Sequence, residues 1–507
     1  MLLLSVEECA FQSRIALSVK MHGVARLLCA AFFAAFAARC ASIACASAAL
    51  FSYHSCASVK AAPADAKCAD LSVFENRATR SGRRINIGVV VLPAKEHNTN
   101  AIFAISGGPG QSAIDDIPQY TIGPMAPLRR SHDIIFAAQR GTAHSNQLQC
   151  PLYDNPAIFF RELFPHVALA KCRNDLAARA DLDQYGTSVA ADDLDDVRAA
   201  LGYRQIELFG GSYGTEASQV YARRHPSRVR AMLLESVATT NFLVPLPYER
   251  GSQRALDELV AACASQPKCH QAFPALRAHF EELLRRFDAR PLQVTLKVSR
   301  TPRQLALSRA VFVDRLRQLL YDPFVARAVP LIIEDAHRGN TKPLATAIFA
   351  LTQSLANALS WGMGMSVNCS EDDPFITPTA IAAASRGTFT RSDRLDAQHQ
   401  ACLIWHVRPV DRSYLLPVRS SAPILMLSGM DDPATPQEYA RRQLRYYPNG
   451  RLISIPHGGH NNESRCLDRI RITFLEGADS KAVDARCISA SARPAFMLTD
   501  KELNALF

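Results

Sequence analysis

A short segment around one serine constrains this chain more than any other feature. Residues 206–209 have the apolar character of a short strand, and residues 216–225 are typical of a helix. Between them, residues 210–214 are Gly-Gly-Ser-Tyr-Gly and contain the pattern Gly-x-Ser-x-Gly. A serine on such a sharp turn needs small neighbours, and the turn holds its hydroxyl above the sheet. The pattern predicts a nucleophile at Ser212 rather than an incidental serine in a glycine-rich turn.

Apolar segments of strand length alternate with helical segments on both sides of this turn. The predicted strands are residues 85–93, 101–105, 133–138, 206–209, 229–237, 422–428 and 450–455. A helix is predicted over residues 187–202, where apolar residues recur at helical spacing. Such alternation is typical of a mostly parallel sheet that is covered by helices on both faces.

The alternation stops near residue 240, and the next 175 residues or so are mainly helical in pattern. The candidate helices are residues 256–262, 280–287, 310–321 and 344–359. A helical segment between strands of one sheet predicts an inserted cap. The predicted organisation is therefore an export signal (1–48), a first core part (49–239), a cap (240–415) and a second core part (416–507).

The N-terminus has the features of an export signal. Arg26 precedes the apolar run 27–38, which is too short to span a bilayer, and residues 46–48 offer an Ala-x-Ala cleavage site. Met21 is an alternative start, and a lipobox around Cys45 is a poor match. The mature chain is predicted to be periplasmic or extracellular, with no membrane span.

The cysteines agree with export. Beyond residue 48 they are even in number and show no Cys-x-x-Cys or Cys/His metal spacing, so disulfides are favoured over free thiols in an exported chain. Sequence does not determine which cysteines are joined, and nearest-neighbour pairing is the hypothesis. It gives Cys56–Cys68, Cys150–Cys172, Cys263–Cys269, Cys369–Cys402 and Cys466–Cys487.

Charge and motifs restrict the partners. The formal charge is +10, but no run of Lys and Arg accompanies it, which favours a solvated surface over nucleic-acid binding. We expect no cofactor and no metal. The predicted partner is a peptide or small-molecule substrate, and the oligomeric state stays open.

Two late loops carry the groups that a serine nucleophile needs. A serine hydroxyl is weak without a base, and the base needs an acid to hold its tautomer. Asp432 and His460 each follow a predicted strand, and the carboxyl ends of parallel strands meet at one edge of a sheet. Asp431 is the alternative acid and His457 the alternative base. Asp432 is preferred because it precedes a proline that fixes the local backbone.

Five motifs stand together in the order found in one family. They are Ser-Gly-Gly-Pro-Gly-Gln-Ser (106–112), Gln-Arg-Gly-Thr (139–142), Gly-Gly-Ser-Tyr-Gly-Thr (210–215), Asp-Pro-Ala-Thr-Pro (432–436) and Gly-Gly-His (458–460). The chain resembles the exported tripeptidyl-aminopeptidase and prolyl-aminopeptidase group of serine peptidases with the α/β-hydrolase fold. The resemblance runs from about Cys68 to Cys487, and the C-terminal portion is similar to the TAP-like segment of that group.

The resemblance implies an α/β-hydrolase core with an inserted, mainly helical cap. It implies Ser212 as nucleophile, Asp432 as acid and His460 as base, with an oxyanion hole from the backbone N–H groups of Gly108 and Tyr213. The implied function is a serine aminopeptidase that releases residues or tripeptides from peptide N-termini. An esterase or amidase on small non-peptide substrates is the alternative, because specificity resides in the cap. A non-catalytic binding protein is a third hypothesis, against which the intact triad residues argue.

Two further expectations concern charged residues. The family usually has Asp where this chain has Ala138, so Arg140 is expected to lose a buried carboxylate partner. An aminopeptidase also needs an anion for the substrate amine, and Glu371 is proposed as this anchor, with Asp372 as the second choice. The competing interpretation is that the acidic residues before Pro374 form a solvated loop.

Overall fold

The computed structural model describes residues 51–506, apart from 97–99, 299–300 and 504. The predicted export signal lies outside the described residues. The strands of the main sheet are β1 (Phe51–His54), β2 (Lys67–Phe74), β3 (Arg84–Leu92), β4 (Ala101–Ile105), β5 (Asp133–Ala137), β6 (Ile206–Gly211), β7 (Val229–Glu235), β10 (Ile424–Gly429) and β11 (Gly450–Ile455). A separate antiparallel hairpin consists of β8 (Leu292–Val298) and β9 (Thr301–Leu307).

In the described part of the chain, the nine strands of the main sheet are ordered β1-β2-β3-β5-β4-β6-β7-β10-β11. The first three strands and the β3–β5 pair are antiparallel, and all pairs from β5 to β11 are parallel. Side chains alternate between the faces: Phe103 and Ile105 pack on one side, and Ile102 and Ala104 on the other. The predicted α/β class with a mostly parallel sheet is confirmed.

Helices cover both faces of the sheet and form the inserted segment. The α-helices are α1 (Ile117–Thr121), α2 (Pro156–Phe159), α3 (His166–Ala177), α4 (Thr187–Ala200), α5 (Tyr213–Arg224), α6 (Tyr248–Ser265), α7 (Pro267–Ala272), α8 (Leu276–Ala289), α9 (Arg309–Leu319), α10 (Pro323–Ala326), α11 (Val329–His337), α12 (Lys342–Ala358), α13 (Trp361–Val367), α14 (Pro378–Ser385), α15 (Asp393–Trp405), α16 (Glu438–Leu444), α17 (Arg465–Gly477) and α18 (Asp500–Leu503). Helices α4 and α5 pack on one face of the sheet, and α1 and α17 on the other.

The segment between β7 and β10 has an apolar core of its own. Its members include Leu256, Phe280, Phe312, Ile332 and Trp405, all buried. The segment between β5 and α4, with α2 and α3, packs into this same core rather than onto the sheet. The site therefore lies where two hydrophobic cores meet above the carboxyl ends of the parallel strands.

Five disulfides cross-link the described chain, and they confirm the nearest-neighbour hypothesis. They join Cys56–Cys68, Cys150–Cys172, Cys263–Cys269, Cys369–Cys402 and Cys466–Cys487. Within the residues that the structure covers, no helix is both long enough and apolar enough to cross a membrane.

Candidate active site

The turn between β6 and α5 holds Ser212 in a conformation that most residues avoid. Its backbone has φ 55° and ψ −126°, in the region that favours glycine. Its N–H donates to the carbonyl of Glu235 at 2.9 Å, which fixes the turn to β7. A Cβ at Gly214 would collide with the carbonyl of Ile105, and one at Gly210 with the carbonyl of Gly214. The two glycines of the motif are therefore steric requirements of the turn.

The loops after β10 and β11 bring Asp432 and His460 into contact. The Nδ1 of His460 lies 3.0 Å and 3.1 Å from the two carboxylate oxygens of Asp432. That carboxylate also accepts hydrogen bonds from the N–H of Ala434 at 2.7 Å and from the N–H and hydroxyl of Thr435 at 2.9 Å and 2.6 Å. Burial opposes ionisation, but His460 and these donors outweigh it and lower the pKa of Asp432. An ionised acid thus holds the imidazole with Nε2 free.

The alternative acid and base point elsewhere. Asp431 forms an ion pair with Arg493. His457 is exposed and is absent from the residues that line the cavity beside Ser212. Among Asp431, Asp432, His457 and His460, the only aspartate–histidine hydrogen bond in the described structure joins Asp432 and His460.

The glycine loop after β4 lies against the serine. A Cβ at Gly107 would be 3.2 Å from the Cβ of Ser212, so this loop approaches the nucleophile closely. Gly108 follows with φ 111°, a conformation that turns its peptide away from the strand direction. Tyr213 is the first residue of α5, where backbone N–H groups have no acceptor within the helix. Gly108 lines the same cavity as Ser212, and Tyr213 directly follows the serine at the start of the helix.

A cavity of about 740 Å³ opens above Ser212, between the sheet and the inserted segment. Ser212 and His460 line it from the core, and α9, α12, α13 and α15 contribute its other wall. Tyr321, the second residue after α9, places its ring 4.7 Å from the imidazole of His460, centroid to centroid. Its carbonyl accepts the N–H of Asn461 at 2.9 Å. The inserted segment therefore contacts the histidine loop itself.

The hydroxyl of Ser212 forms no hydrogen bond with any described residue, His460 included. Hydrogen bonds between a nucleophile and its base are often long in unliganded enzymes and shorten when substrate binds. Ser212 and His460 line the same cavity, so such a hydrogen bond would form within it.

The two residues proposed to bind the substrate amine, Glu371 and Asp372, do not line this cavity, and the structure therefore contradicts that hypothesis. Glu371 and Asp372 lie in a π-helical turn, Asn368–Asp372, are buried, and are absent from the cavity lining. Glu371 accepts hydrogen bonds from the N–H and the hydroxyl of Thr187 at 2.6 Å and 2.7 Å. Asp372 accepts from the N–H of Val244 at 3.0 Å. Both carboxyl groups are bound by the protein and are not solvated.

A third buried carboxyl completes a cluster that the sequence did not indicate. The hydroxyl of Tyr414 lies 2.8 Å from a carboxyl oxygen of Glu216 and 2.8 Å from one of Glu371. A phenol has one proton to donate, so one of these two carboxyl groups must itself be protonated to complete both bonds. Burial, and next the charge of Glu371, raise the pKa of Glu216 to about 8. We call Glu216, Glu371 and Asp372 the carboxyl cluster.

The carboxyl cluster is connected to the turn that carries Ser212. The hydroxyl of Thr187, bound to Glu371, also lies 2.8 Å from the hydroxyl of Tyr213. Tyr213 follows the serine directly in sequence. The cluster therefore supports the start of α5 from behind, on the side away from the cavity.

Arg140 keeps a carboxylate partner despite the alanine at position 138. Its guanidinium donates to both oxygens of Asp193 on α4, at 2.6 Å and 2.9 Å, and to the carbonyl of Glu75 at 2.7 Å. Asp193 therefore supplies the buried carboxylate that Arg140 was expected to lose.

One group of side chains on the inserted segment has the composition of a metal site. His279 on α8 and Glu334 and His337 on α11 place ligand atoms within 4.8 Å of one another. None of the three lines the cavity that contains Ser212. They join α8 to α11 and take no part in the chemistry at the serine.

The comparison with protein families agrees with this geometry. Residues 100–462 match the model of the alpha/beta hydrolase fold, so the chain belongs to the α/β-hydrolase family. The match begins just before β4 and ends just after His460, and it therefore includes Ser212, Asp432 and His460.

Three curated relatives show which hydrolases the chain is similar to. It is 25% identical to serine protease Hip1 of Mycobacterium tuberculosis over 470 residues, 84% of this chain and 88% of the relative. It is 26% identical to carboxylesterase B of the same organism over 468 residues, 81% and 84% of the two chains. It is 27% identical to tripeptidyl aminopeptidase of Streptomyces lividans over 222 residues, 39% and 41% of the two chains.

Proposed function

We propose that this protein is an exported serine aminopeptidase that acts through an acyl-enzyme on Ser212. The observation that carries the proposal is the strained Ser212 at the base of a cavity that it shares with His460, itself bound to the buried Asp432. A lone serine on a turn would need neither the backbone strain nor an aligned acid and base.

The proposed reaction gives one role to each group. His460 Nε2 takes the proton of Ser212 as the hydroxyl attacks the scissile carbonyl, and Asp432 stabilises the resulting imidazolium. The N–H groups of Gly108 and Tyr213 donate to the oxyanion, assisted by the N-terminus of α5. His460 then protonates the leaving amine. Water, activated by the same histidine, releases the acyl group and restores the serine.

The cavity size supports a short substrate. A cavity of about 740 Å³ has the capacity of typical small-molecule pockets. The wall formed by the inserted segment would obstruct a folded polypeptide, so cleavage at a free chain end fits better than cleavage inside a protein. The serine protease and tripeptidyl aminopeptidase relatives are consistent with peptide substrates.

An esterase acting on small acyl esters is the second candidate. Two observations favour it: the placement of Glu371 and Asp372 outside the cavity, and the similarity to carboxylesterase B over 81% of the chain. The same triad serves both activities, and the acyl group that the cavity accepts distinguishes them.

The disulfides support the proposal that the protein is exported. The described chain has five disulfides, and disulfides form and persist mainly in oxidising compartments, which supports a periplasmic or extracellular location.

A substrate panel tests the function. Aminoacyl- and tripeptidyl-arylamides are compared with N-acetylated arylamides and short acyl esters, with Ser212→Ala as the control. Turnover of free-amine arylamides above all other classes supports the aminopeptidase. Turnover confined to esters supports the second candidate, and activity that persists in Ser212→Ala refutes both.

A further inference from the structure

The wall that faces Ser212 from the inserted segment carries an excess of positive charge. Arg315 and Arg317 project from α9, and Arg394 projects from α15, and all three line the cavity. We call these three residues the arginine wall. Four acidic residues also line the cavity: Asp116, Glu235, Asp322 and Glu463. None of these four forms an ion pair with the arginine wall in the described structure.

Within the described residues, the ion pairs of these three guanidinium groups go to a single carboxylate, which lies behind them. Asp314 binds Arg315 at 2.6 Å and Arg317 at 2.8 Å, is fully buried, and does not line the cavity. Burial opposes its ionisation, but Arg317, Arg394 and Arg315 together lower the pKa of Asp314. Arg394 itself forms no ion pair within the described residues; it contacts Gln398 at 3.3 Å and the ring of Phe164 at 4.6 Å.

The cavity lining also contains hydrogen-bond donors that have no acceptor in the described structure. The Nε atoms of Arg317 and Arg394 are buried and have no acceptor in the described structure, and the same is true of Nε1 of Trp361, which lines the cavity as well. Two acceptors, on Gln318 and Asn368, are likewise unpaired. The three unpaired donors of the lining are available to a ligand that accepts hydrogen bonds.

Uncompensated charge in a water-poor cavity is costly unless a partner of opposite sign is present. We propose that the arginine wall is a binding subsite for a carboxylate of the substrate. The planar guanidinium groups suit a carboxylate because each can donate two parallel hydrogen bonds to it. The substrate would then carry a negative charge at a fixed distance from the bond that Ser212 attacks. This inference rests on the proposed hydrolase function of Ser212.

A matched pair of esters tests the subsite. The p-nitrophenyl monoester of glutarate carries a terminal carboxylate, and the corresponding ester of glutaramate carries a neutral amide of the same size. The expected wild-type preference in kcat/KM for the carboxylate is roughly 10- to 100-fold, the effect of a charge-assisted hydrogen bond. Equal turnover of the two esters would overturn the subsite while leaving the hydrolase function intact. Loss of both activities in Ser212→Ala tests that function separately.

Two arginine variants locate the preference. Arg394→Gln removes the guanidinium with the fewest protein contacts and should abolish most of the carboxylate preference. Arg391→Gln is the matched control, because Arg391 is exposed, pairs with Asp288 and does not line the cavity. It removes the same charge three positions away and should retain the wild-type preference. A preference unchanged in Arg394→Gln, or lost equally in both variants, contradicts the proposal.

A third measurement needs no variant. Glutarate should competitively inhibit wild-type hydrolysis of the neutral ester, and glutaramide should inhibit far less; equal inhibition would refute the subsite.

Short peptides then show which carboxylate of the substrate binds. Peptides with Glu are compared with peptides with Gln, and peptides with a free C-terminus are compared with amidated ones. A preference that follows the side chain assigns an acidic residue, and one that follows the terminus assigns the end of a short peptide. No preference for either would also contradict the proposal.

Discussion

The carboxyl cluster makes a specific prediction about stability and pH. Glu216, Glu371 and Asp372 are buried together behind the turn, and the shared hydroxyl of Tyr414 requires a proton on Glu216 or Glu371. Burial and the neighbouring Glu371 raise the pKa of Glu216 from 4.5 to about 8. For Asp372, burial and the charge of Glu216 raise the pKa in the same direction.

The sign of the effect follows from proton binding. Between pH 4.5 and about 8 the folded protein holds a proton on Glu216 that the unfolded chain has lost. The free energy of unfolding must therefore fall as the pH rises through this window. One such group changes it by about 1.4 kcal/mol per pH unit well below its folded pKa and by about half as much at that pKa, so from pH 6 to pH 8 the loss is about 2 kcal/mol.

Glu216→Gln isolates this contribution. The amide oxygen still accepts the hydrogen bond from Tyr414, but the side chain no longer titrates. Urea unfolding of wild type and variant is measured from pH 5 to pH 8.5, and the stability difference should shift by about 2 kcal/mol in favour of the variant between pH 6 and pH 8. Burial also raises the pKa of Glu249 to about 8. Its effect on stability is the same in both proteins and cancels in their difference.

Glu258→Gln is the control, because Glu258 is an exposed carboxylate on α6. It should reproduce the wild-type dependence on pH. The reasoning is refuted if Glu216→Gln keeps the wild-type slope, or if the wild type becomes more stable between pH 6 and pH 8.

Three further predictions concern the site and the cross-links. Asp432→Asn should lower kcat about 10⁴-fold with little change in KM, because the imidazole loses the partner that sets its tautomer; near-normal kcat would exclude Asp432 as the acid. Gly214→Ala should slow labelling of Ser212 by an organophosphonate, since the new methyl group meets the carbonyl of Ile105, and wild-type labelling would show that the turn tolerates it. The purified mature protein should begin near residue 49 and contain no free thiols; alkylation of the unreduced protein, followed by intact mass, would reveal any exception.

The elements nearest the serine could be predicted from sequence because local pattern and tertiary position agree there. The strand before Ser212 and the late strand β10 are short, largely buried runs that end in glycine, and burial on both faces gives them a clear pattern. Asp432 and His460 follow such strands directly, so strand topology alone brings them to one edge.

The parts that sequence missed depend on contacts between distant segments. Strands β1 and β2 pair at the antiparallel edge of the sheet, where half-exposed residues give a weak pattern. The β8–β9 hairpin lies within a helical segment and has no Asn-Gly or Asp-Gly turn to mark it. The sequence favours Glu371 as the amine anchor because an aminopeptidase needs an anion for the substrate amine, but Thr187 and Tyr414, far away in sequence, bind its carboxyl group instead.

The connectivity of the disulfides has a consequence for how the chain matures. Each cysteine in the described chain pairs with the next one along the sequence, at separations of 6 to 33 residues. A polypeptide that crosses a membrane from its N-terminus presents its cysteines in that same order. An oxidase that joins each new thiol to the one before it would thus produce the native set directly. We therefore expect maturation to need a thiol oxidase but no disulfide isomerase, since no bridge must wait for a later segment or be exchanged.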